Sequence, residues 1–122
     1  MARIMVVDDS GMTRKMLSLS LSREGFAVET AENGTDALEK LFKDRYDLVI
    51  TDMNMPQMDG MELLRHVRND SQYYSIPVVV LSSNSAPEEV QRAMKAGANY
   101  YLIKPTDSTK LIECVRKVLR VG

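Results

Sequence analysis

Residues 48–60 read Leu48-Val49-Ile50-Thr51-Asp52-Met53-Asn54-Met55-Pro56-Gln57-Met58-Asp59-Gly60. The apolar, β-branched run at the start is typical of a strand that is buried in a core. The Met-Pro and Asp-Gly pairs that follow it break regular structure. Asp52 therefore stands where a buried strand ends and a loop begins, and it is the candidate reactive group of the chain.

The size and charge of the chain restrict its function. A length of 122 residues fits one domain, predicted over residues 1–122, that needs no metal or disulfide for stability. The balance of 16 Lys and Arg against 17 Asp and Glu predicts no binding to nucleic acid. No apolar run has the length of a signal peptide or a membrane span, so we expect a cytoplasmic protein without membrane insertion.

Apolar periodicity and turn signals divide the chain into five strand-helix units. The predicted strands are residues 3–7, 26–30, 47–51, 77–81 and 99–103. Helical spacing predicts that the first helix buries Met12, Met16 and Leu19, and that the second buries Ala37, Leu38, Leu41 and Phe42. Asp59 with Glu62 is predicted to cap the third helix, and residues 85–88 match a capping box with proline in the first turn of the fourth.

Strands that are apolar on both sides and alternate with helices indicate an α/β fold. Such strands form a parallel sheet that is covered by helices on both faces. Because crossovers between parallel strands are right-handed, the carboxyl ends of all the strands open on one edge of the sheet. Ligands of these folds bind at that edge.

Chemically reactive side chains follow several of these strands. Asp8 and Asp9 follow the first, Asp52 the third, Ser82 the fourth and Lys104 the fifth. Carboxylates that are gathered into a partly desolvated site repel one another unless a proton or a divalent cation is present. Hard oxygen ligands without histidine or cysteine favour Mg²⁺, with Mn²⁺ as the alternative.

A cation, an ammonium group and a hydroxyl around one carboxylate suit phosphoryl transfer. That reaction depends on positioning and on neutralising the charge of the transferred group. Asp52 would act as the nucleophile and form an acyl phosphate. Each residue also has a simpler interpretation: Asp8, Asp9 and Ser10 could cap the first helix, and Lys104 could be a surface lysine. Their shared position at the ends of successive strands favours a joint site.

The motifs that carry a family resemblance are Val6-Val7-Asp8-Asp9-Ser10, residues 47–60, Ser82, Ala96-Gly97-Ala98 and Tyr101-Leu102-Ile103-Lys104-Pro105. In this order and spacing they resemble the receiver domain of bacterial two-component response regulators, over essentially the whole chain. The resemblance implies a flavodoxin-like receiver fold with five parallel strands in the order 2-1-3-4-5. The chain looks like a stand-alone regulator of the chemotaxis type.

The resemblance also implies a role for each matching residue. Asp52 matches the phospho-acceptor, which takes its phosphoryl group from a sensor histidine kinase. The implied Mg²⁺ ligands are Asp9, Asp52 and the backbone carbonyl of Asn54, with Asp8 acting through water. Lys104 matches the lysine that pairs with the phosphoryl group, and Lys104-Pro105 matches a cis peptide bond. Ser82 and Tyr101 match a switch pair that responds to phosphorylation.

The implied output is a partner-binding face made of helix 4, strand 5 and helix 5. Its downstream protein is not identified by the sequence, and we expect a monomer, with dimerisation on activation left open. The chain departs from the family's commonest residues at two places. Ser82 replaces threonine, and Thr106 stands where an aromatic or aliphatic residue usually follows the Lys-Pro pair.

Two other functions compete with this phosphorelay switch, which we expect to catalyse only its own phosphorylation and dephosphorylation. One is a Mg²⁺-dependent phosphohydrolase of the haloacid dehalogenase type, whose aspartate nucleophile follows strand 1, where this chain has Asp8-Asp9-Ser10. The other is an interaction module that works without phosphorylation. The presence of all the acidic residues together with Ser82 and Lys104 argues against the second.

Overall fold

The computed structural model of the chain describes residues 1–120. The strands and helices alternate as β1 (Arg3–Val7), α1 (Gly11–Arg23), β2 (Ala27–Ala31), α2 (Gly34–Lys43), β3 (Leu48–Thr51), α3 (Gly60–Arg68), β4 (Val78–Ser82), α4 (Pro87–Lys95), β5 (Tyr100–Ile103) and α5 (Ser108–Leu119). Each predicted strand is confirmed to within one residue. The last two residues of the predicted domain, 121 and 122, lie outside the described residues.

The five strands form one parallel sheet in the order β2-β1-β3-β4-β5. This confirms the predicted α/β fold and its strand order. Chain direction is the same in every strand, so the loops after β1, β3, β4 and β5 all leave from the carboxyl edge of the sheet. The order also places β1 and β3 side by side, with β4 and then β5 beyond them.

Two cores lie on opposite faces of the sheet because successive strand residues point to opposite sides. In β1, Met5 and Val7 face the core that is covered by α2, α3 and α4. Ile4 and Val6 face the other core, which is covered by α1 and α5. All four of these side chains are buried, as expected for a strand in the interior of a covered parallel sheet.

The predicted buried faces of the first two helices are partly wrong. Helix α1 buries Leu17 and Leu21, whereas the predicted stripe of Met12, Met16 and Leu19 is exposed. Apolar residues occur around most of this helix, so periodicity alone could not choose the face that meets the sheet. In α2, Ala37 and Leu41 are buried as predicted, but Phe42 is 70% exposed.

The helix ends follow the sequence signals with one exception. Gly25 and Gly97 have positive φ and follow the ends of α1 and α4, where glycine favours a left-handed turn, and Asp59 forms the predicted capping box with Glu62. The capping box predicted at residues 85–88 does not form. Pro87 occupies the first helical position, so Ala86 becomes the N-cap residue and, among the described residues, no side chain caps α4.

None of the helices in the described part of the chain has the length and apolarity needed to span a bilayer.

The two adjacent residues Leu41 and Phe42 test the orientation of α2. We expect Leu41→Ala to lower the free energy of unfolding by about 2–5 kcal/mol, because Leu41 is only 4% exposed and its removal leaves a cavity. We expect Phe42→Ala to change it by less than about 0.5 kcal/mol, because the ring faces solvent. Urea unfolding measures both, and a larger loss from Phe42→Ala would show that the opposite face of α2 is packed.

Candidate functional site

The site lies at the carboxyl edge of the sheet, where β1 and β3 end next to each other. Asp8 follows β1 and Asp52 follows β3. The backbone N–H of Asp52 donates to the carbonyl of Val7 at 2.9 Å, and that of Asp8 donates to Ala31 at 3.1 Å. The sheet's own hydrogen bonds therefore extend to both acidic residues and fix their backbones side by side.

The three predicted acidic residues come together. Asp8, Asp9 and Asp52 each offer a carboxylate oxygen, and these oxygens all lie within 4.8 Å of one another. Asp8 is 2% exposed and Asp52 is 7% exposed, whereas Asp9 is open to solvent. Two buried carboxylates and one exposed carboxylate form a cluster that is accessible from one side.

Lys104 brings a positive charge to the cluster from the end of β5. Its Nζ donates to Asp8 Oδ2 at 2.9 Å and lies 3.6 Å from Asp52 Oδ2. Its backbone N–H donates to the carbonyl of Ser82 at 2.8 Å, which anchors the loop after β5 to the end of β4. Lys104 thus bridges the two buried carboxylates and bonds more closely to Asp8.

The protonation equilibria reflect this crowding. Burial raises the pKa of Asp52, the charge of Lys104 opposes that rise, and the charge of Asp8 adds to it. Burial alone would lower the pKa of Lys104, but its hydrogen bond to Asp8 and the charge of Asp52 outweigh burial and raise the pKa. Both shifts follow from two acidic groups that share one ammonium in a partly desolvated place.

Hydrogen bonds from neighbouring residues hold Asp52 in position. The N–H of Met53 donates to Asp52 Oδ1 at 2.8 Å, and the Thr51 hydroxyl donates to the Asp52 carbonyl at 2.9 Å. The backbone N–H of Asn54 also faces the Asp52 carboxylate and lowers its pKa against the effect of burial. The role of the Asn54 carbonyl in metal binding, which the family resemblance implies, stays a prediction.

The loop after Asp52 returns close to it. Gly60 donates its N–H to the Met53 carbonyl at 2.9 Å, and a Cβ at this glycine would overlap the Asp52 carbonyl and lie 2.8 Å from Met53 Cα. Within the loop, Gln57 has a φ of 68°. A positive φ is unfavourable for a residue with a side chain, and such conformations persist where surrounding contacts enforce them.

The β1–α1 loop both caps α1 and contributes to the site, so the two interpretations of its sequence apply to different residues. Ser10 caps α1, since its Oγ accepts from the N–H of Thr13 at 3.2 Å. Asp8 belongs to the site, and its Oδ1 accepts from the N–H of Ser10 at 2.9 Å. The Arg14 guanidinium donates to the Asp8 carbonyl at 2.6 Å. This contact of Arg14 could not be predicted from the sequence, because a lysine or arginine on an amphipathic helix gives no signal that it turns back to the preceding loop.

The predicted switch residues both bond to the backbone of one residue, Asn84. Ser82 is fully buried, and its Oγ accepts from the backbone N–H of Asn84 at 3.1 Å. The Tyr101 hydroxyl donates to the carbonyl of Asn84 at 2.7 Å, and its ring packs against the core under α4. The two side chains come from different strands, and Asn84 connects them.

The Lys104-Pro105 peptide bond is cis. Beyond it, the Thr106 hydroxyl is buried and has no hydrogen-bond partner among the described residues. A groove of about 370 Å³ lies between α1 and this loop, lined by residues that include Met16, Leu17 and Thr106. The small Thr106 side chain thus borders a groove at the position where the family usually has a larger residue.

The donor set fits a hard divalent cation. Three carboxylates offer oxygens from one small region, and Lys104 supplies the only lysine charge that the described residues bring to them. Mg²⁺ is typically held by one or two carboxylates together with water and phosphate oxygens. The exposed Asp9 leaves one side of the cluster open for such oxygens.

The strand order and this acidic edge together define a flavodoxin-like receiver class. Residues 4–116 match the family model described as "Response regulator receiver domain". The chain belongs to the response regulator receiver domain family, as its sequence motifs predict.

Chemotaxis proteins are among its relatives. The chain is 40% identical over 119 residues to the chemotaxis protein CheY1 of Helicobacter pylori, an alignment that covers 96% of each protein. The solved structure of the chemotaxis protein CheY4 of Vibrio cholerae has a TM-score of 0.93 and 40% identity, and covers 97% of this chain and 98% of CheY4. The resemblance to chemotaxis regulators is therefore confirmed.

A third similar structure is the response regulator protein TrrA of Thermotoga maritima in complex with Mg²⁺-BeF. It has a TM-score of 0.86 and 35% identity, and covers 97% of this chain and 99% of TrrA.

Gly60 provides a test of the packing beneath Asp52. We expect Gly60→Ala to lower the free energy of unfolding by about 1–3 kcal/mol, because the added Cβ overlaps backbone atoms of Asp52 and Met53, which cannot rotate away. Gly11→Ala is the matched control. A Cβ at Gly11 meets only Arg14 Nη2 at 3.5 Å, so this helical substitution should be neutral or stabilise by up to about 1 kcal/mol. Equal urea midpoints for the two variants would contradict the close approach at Gly60.

Proposed function

We propose that this protein is a phosphorylation-driven switch in which Asp52 accepts a phosphoryl group from a sensor histidine kinase. The observation that carries this proposal is the buried Asp52 carboxylate, which lies beside two further aspartates and 3.6 Å from the Lys104 ammonium. A nucleophile that is surrounded by a cation-binding cluster and a fixed positive charge is what transfer of a highly charged group requires.

The transfer itself forms one bond and breaks one. A carboxylate oxygen of Asp52 forms a bond to phosphorus while the bond from phosphorus to the donor's histidine nitrogen breaks, and that nitrogen keeps the bonding electron pair. The Lys104 ammonium is placed to pair with the oxygens of the incoming group. No general base takes part, because the attacking group is the carboxylate form of Asp52, which has no proton to lose.

We further propose that Asp8, Asp9 and Asp52 hold Mg²⁺ or, as the alternative, Mn²⁺. The 4.8 Å cluster of their oxygens supports this, as does the Mg²⁺-BeF complex of the similar protein TrrA. The bound cation would neutralise negative charge on the phosphoryl oxygens. The chain's part is to supply the oxygen ligands, with the Asn54 carbonyl as the additional predicted one.

The proposed signal passes from Asp52 to the rest of the protein through Asn84. A phosphoryl group at Asp52 adds about 1.5–2 negative charges and strong acceptor oxygens. The Ser82 hydroxyl can donate to such an oxygen, and Lys104 can shift from Asp8 towards Asp52. Because Ser82 accepts from the N–H of Asn84 and Tyr101 donates to its carbonyl, a displacement at Ser82 would reach the β4–α4 loop and the Tyr101 side chain.

The proposed output is the face formed by α4, β5 and α5, which includes the half-exposed Met94 and Ile103. A downstream protein would bind there. The cytoplasmic location and the monomeric state expected from the sequence belong to the same proposal.

The phosphohydrolase alternative is less well supported by the geometry. It places the nucleophile after β1, where Asp8 stands. Both Asp8 carboxylate oxygens already accept hydrogen bonds, Oδ1 from the N–H of Ser10 and Oδ2 from Lys104. We therefore propose a protein that catalyses only its own phosphorylation and dephosphorylation. An interaction module without phosphorylation would have no use for this buried charge cluster.

Labelling by a small phosphodonor tests the nucleophile. With acetyl phosphate and Mg²⁺, we expect the protein to gain one phosphoryl group, and Asp52→Asn to reduce labelling to background, because an amide cannot form the acyl phosphate. Intact-protein mass spectrometry measures the product. Asp44→Asn removes an exposed carboxylate at the opposite edge of the sheet and should leave labelling unchanged. Labelling that persists in Asp52→Asn, or turnover of an external phosphoester, would refute the proposal.

A substitution at Lys104 tests whether phosphorylation of Asp52 can occur without the structural change at Asn84 and Tyr101. We expect Lys104→Met to be labelled about a hundredfold more slowly, because one charge that stabilises the transferred group is lost. Once it is labelled, we expect the amide signals of Asn84 and Tyr101 to keep their unphosphorylated positions in two-dimensional NMR. Lys43→Met, an exposed lysine on α2, is the matched control and should behave as the wild type. If the amide signal of Asn84 in labelled Lys104→Met moved as it does in the phosphorylated wild type, the coupling role of Lys104 would be contradicted.

A further inference from the structure

Arg68, the last residue of α3, connects three separate segments of the chain. Its guanidinium makes five hydrogen bonds: Nε and Nη2 to the Gly97 carbonyl at 3.0 and 2.8 Å, Nη2 to Asn99 Oδ1 at 2.8 Å, and Nη1 to the carbonyls of Tyr74 and Ile76 at 2.9 and 2.6 Å. The acceptors lie in the α3–β4 and α4–β5 connections. Arg68 therefore ties the end of α4 to the end of α3.

The positive charge of Arg68 is stabilised by neutral polar groups. Among the described residues it forms no ion pair, and burial lowers the pKa of its guanidinium. Carbonyl groups and the Asn99 side chain take the place of a carboxylate. Asn99 Oδ1 also accepts from the N–H of Val78 at 2.9 Å, which extends the connection to the start of β4. Such contacts depend on the planar fork of arginine, which lysine cannot reproduce.

The turn that ends α4 is shaped to fit this guanidinium. Gly97 has a φ of 112°, its N–H donates to Met94, and the N–H of Ala98 donates to Ala93, which is the Schellman arrangement. A Cβ at Gly97 would lie 2.8 Å from Arg68 Nε. The absent side chain thus serves both the left-handed turn and the approach of Arg68.

Elsewhere α4 is weakly attached. It buries one residue fully, Ala93, and its first turn has no side-chain cap within the described part of the chain. Helix α3 differs on both counts, because it buries five residues and begins with a complete capping box. The carboxyl end of α4 is therefore its fixed end, and its amino end follows the loop at 83–86.

That loop is joined to the candidate site. The Asn84 side chain accepts from the N–H of Ala86, the N-cap residue of α4, at 2.9 Å, and the Asn84 backbone bonds to Ser82 and Tyr101. A movement at Ser82 therefore reaches the amino end of α4 directly. The two ends of the helix are thus attached in different ways, one to the site and one to Arg68.

We infer that Arg68 is a positioning residue that fixes the carboxyl end of α4, so that the helix pivots about the Gly97 turn when the loop at 83–86 moves. The anchoring is a property of the free protein. The pivoting rests on the proposed function, because it needs the phosphoryl group to displace Ser82.

Hydrogen exchange of the free protein tests the anchoring. In Arg68→Met we expect the amides of α4 and of residues 97–100 to exchange at least about tenfold faster relative to those of α2, because local opening no longer breaks the three hydrogen bonds from Arg68 to Gly97 and Asn99. Arg68→Lys should give a smaller increase, and it carries the comparison if Arg68→Met does not fold. Val115→Ala, a core substitution on the other face of the sheet, controls for global destabilisation and should leave the ratio of α4 to α2 unchanged. A uniform increase across α2 and α4 in the Arg68 variants would overturn the inference.

Titration with beryllofluoride and Mg²⁺ tests the pivot. In the wild type we expect NMR shift changes along α4 to decrease from Ala86 to Ala96. In Arg68→Met the ratio of the change at Ala96 to that at Ala86 should at least double. Equal changes at both ends in the wild type would overturn the pivot. If the wild type takes up no beryllofluoride, the proposed function fails, and the exchange experiment still decides whether Arg68 anchors α4.

Discussion

Two buried carboxylates that share one ammonium are the constraint on which the site depends. Asp8 and Asp52 end adjacent strands and are held there by the hydrogen bonds of the sheet, so they cannot separate to relieve their repulsion. Lys104 reaches both from the far strand β5. One charge between two carboxylates leaves the cluster negative, and Asp9 adds to it from the solvent side. The arrangement favours the arrival of a cation, and it makes the position of Lys104 sensitive to any charge that is added at Asp52.

The parts of the fold around this cluster differ in how firmly they are packed. Beneath Asp52, Met53 and Met55 are buried in the core, and Gly60 lets the start of α3 approach the backbone closely. Flexible thioether side chains fill such irregular space well. Helix α4 buries only Ala93 fully and is tied by Arg68 at its carboxyl end. The movement that we propose for α4 would start from a charge added at Asp52 and pass through Asn84, whose N–H and carbonyl bond to Ser82 and Tyr101.

Sequence reasoning was most accurate where several local signals agreed. The apolar strands and the Asp59–Glu62 capping box each had a specific signal that led to the α/β fold, and the motifs at the strand ends led to the family, whose resemblance implied the strand order. It was wrong where two faces of a helix were equally apolar, as with Met16 and Leu17 in α1. It was also wrong at Ser85, because Pro87 fixes the first position of α4 and makes the residue before it the cap.

The sequence by itself determined which chemistry the protein can offer, because carboxylates, a hydroxyl and a lysine at the ends of parallel strands must converge on one edge of the sheet. Only the tertiary structure decided how these groups pair. Lys104 lies closer to Asp8 than to Asp52, and Ser82 and Tyr101 bond to the backbone of the same residue, Asn84. No sequence signal distinguishes Arg68 from the other basic residues of the chain. In the structure it joins segments that are about thirty positions apart. Such contacts depend on distances between loops, and local sequence patterns do not encode those distances.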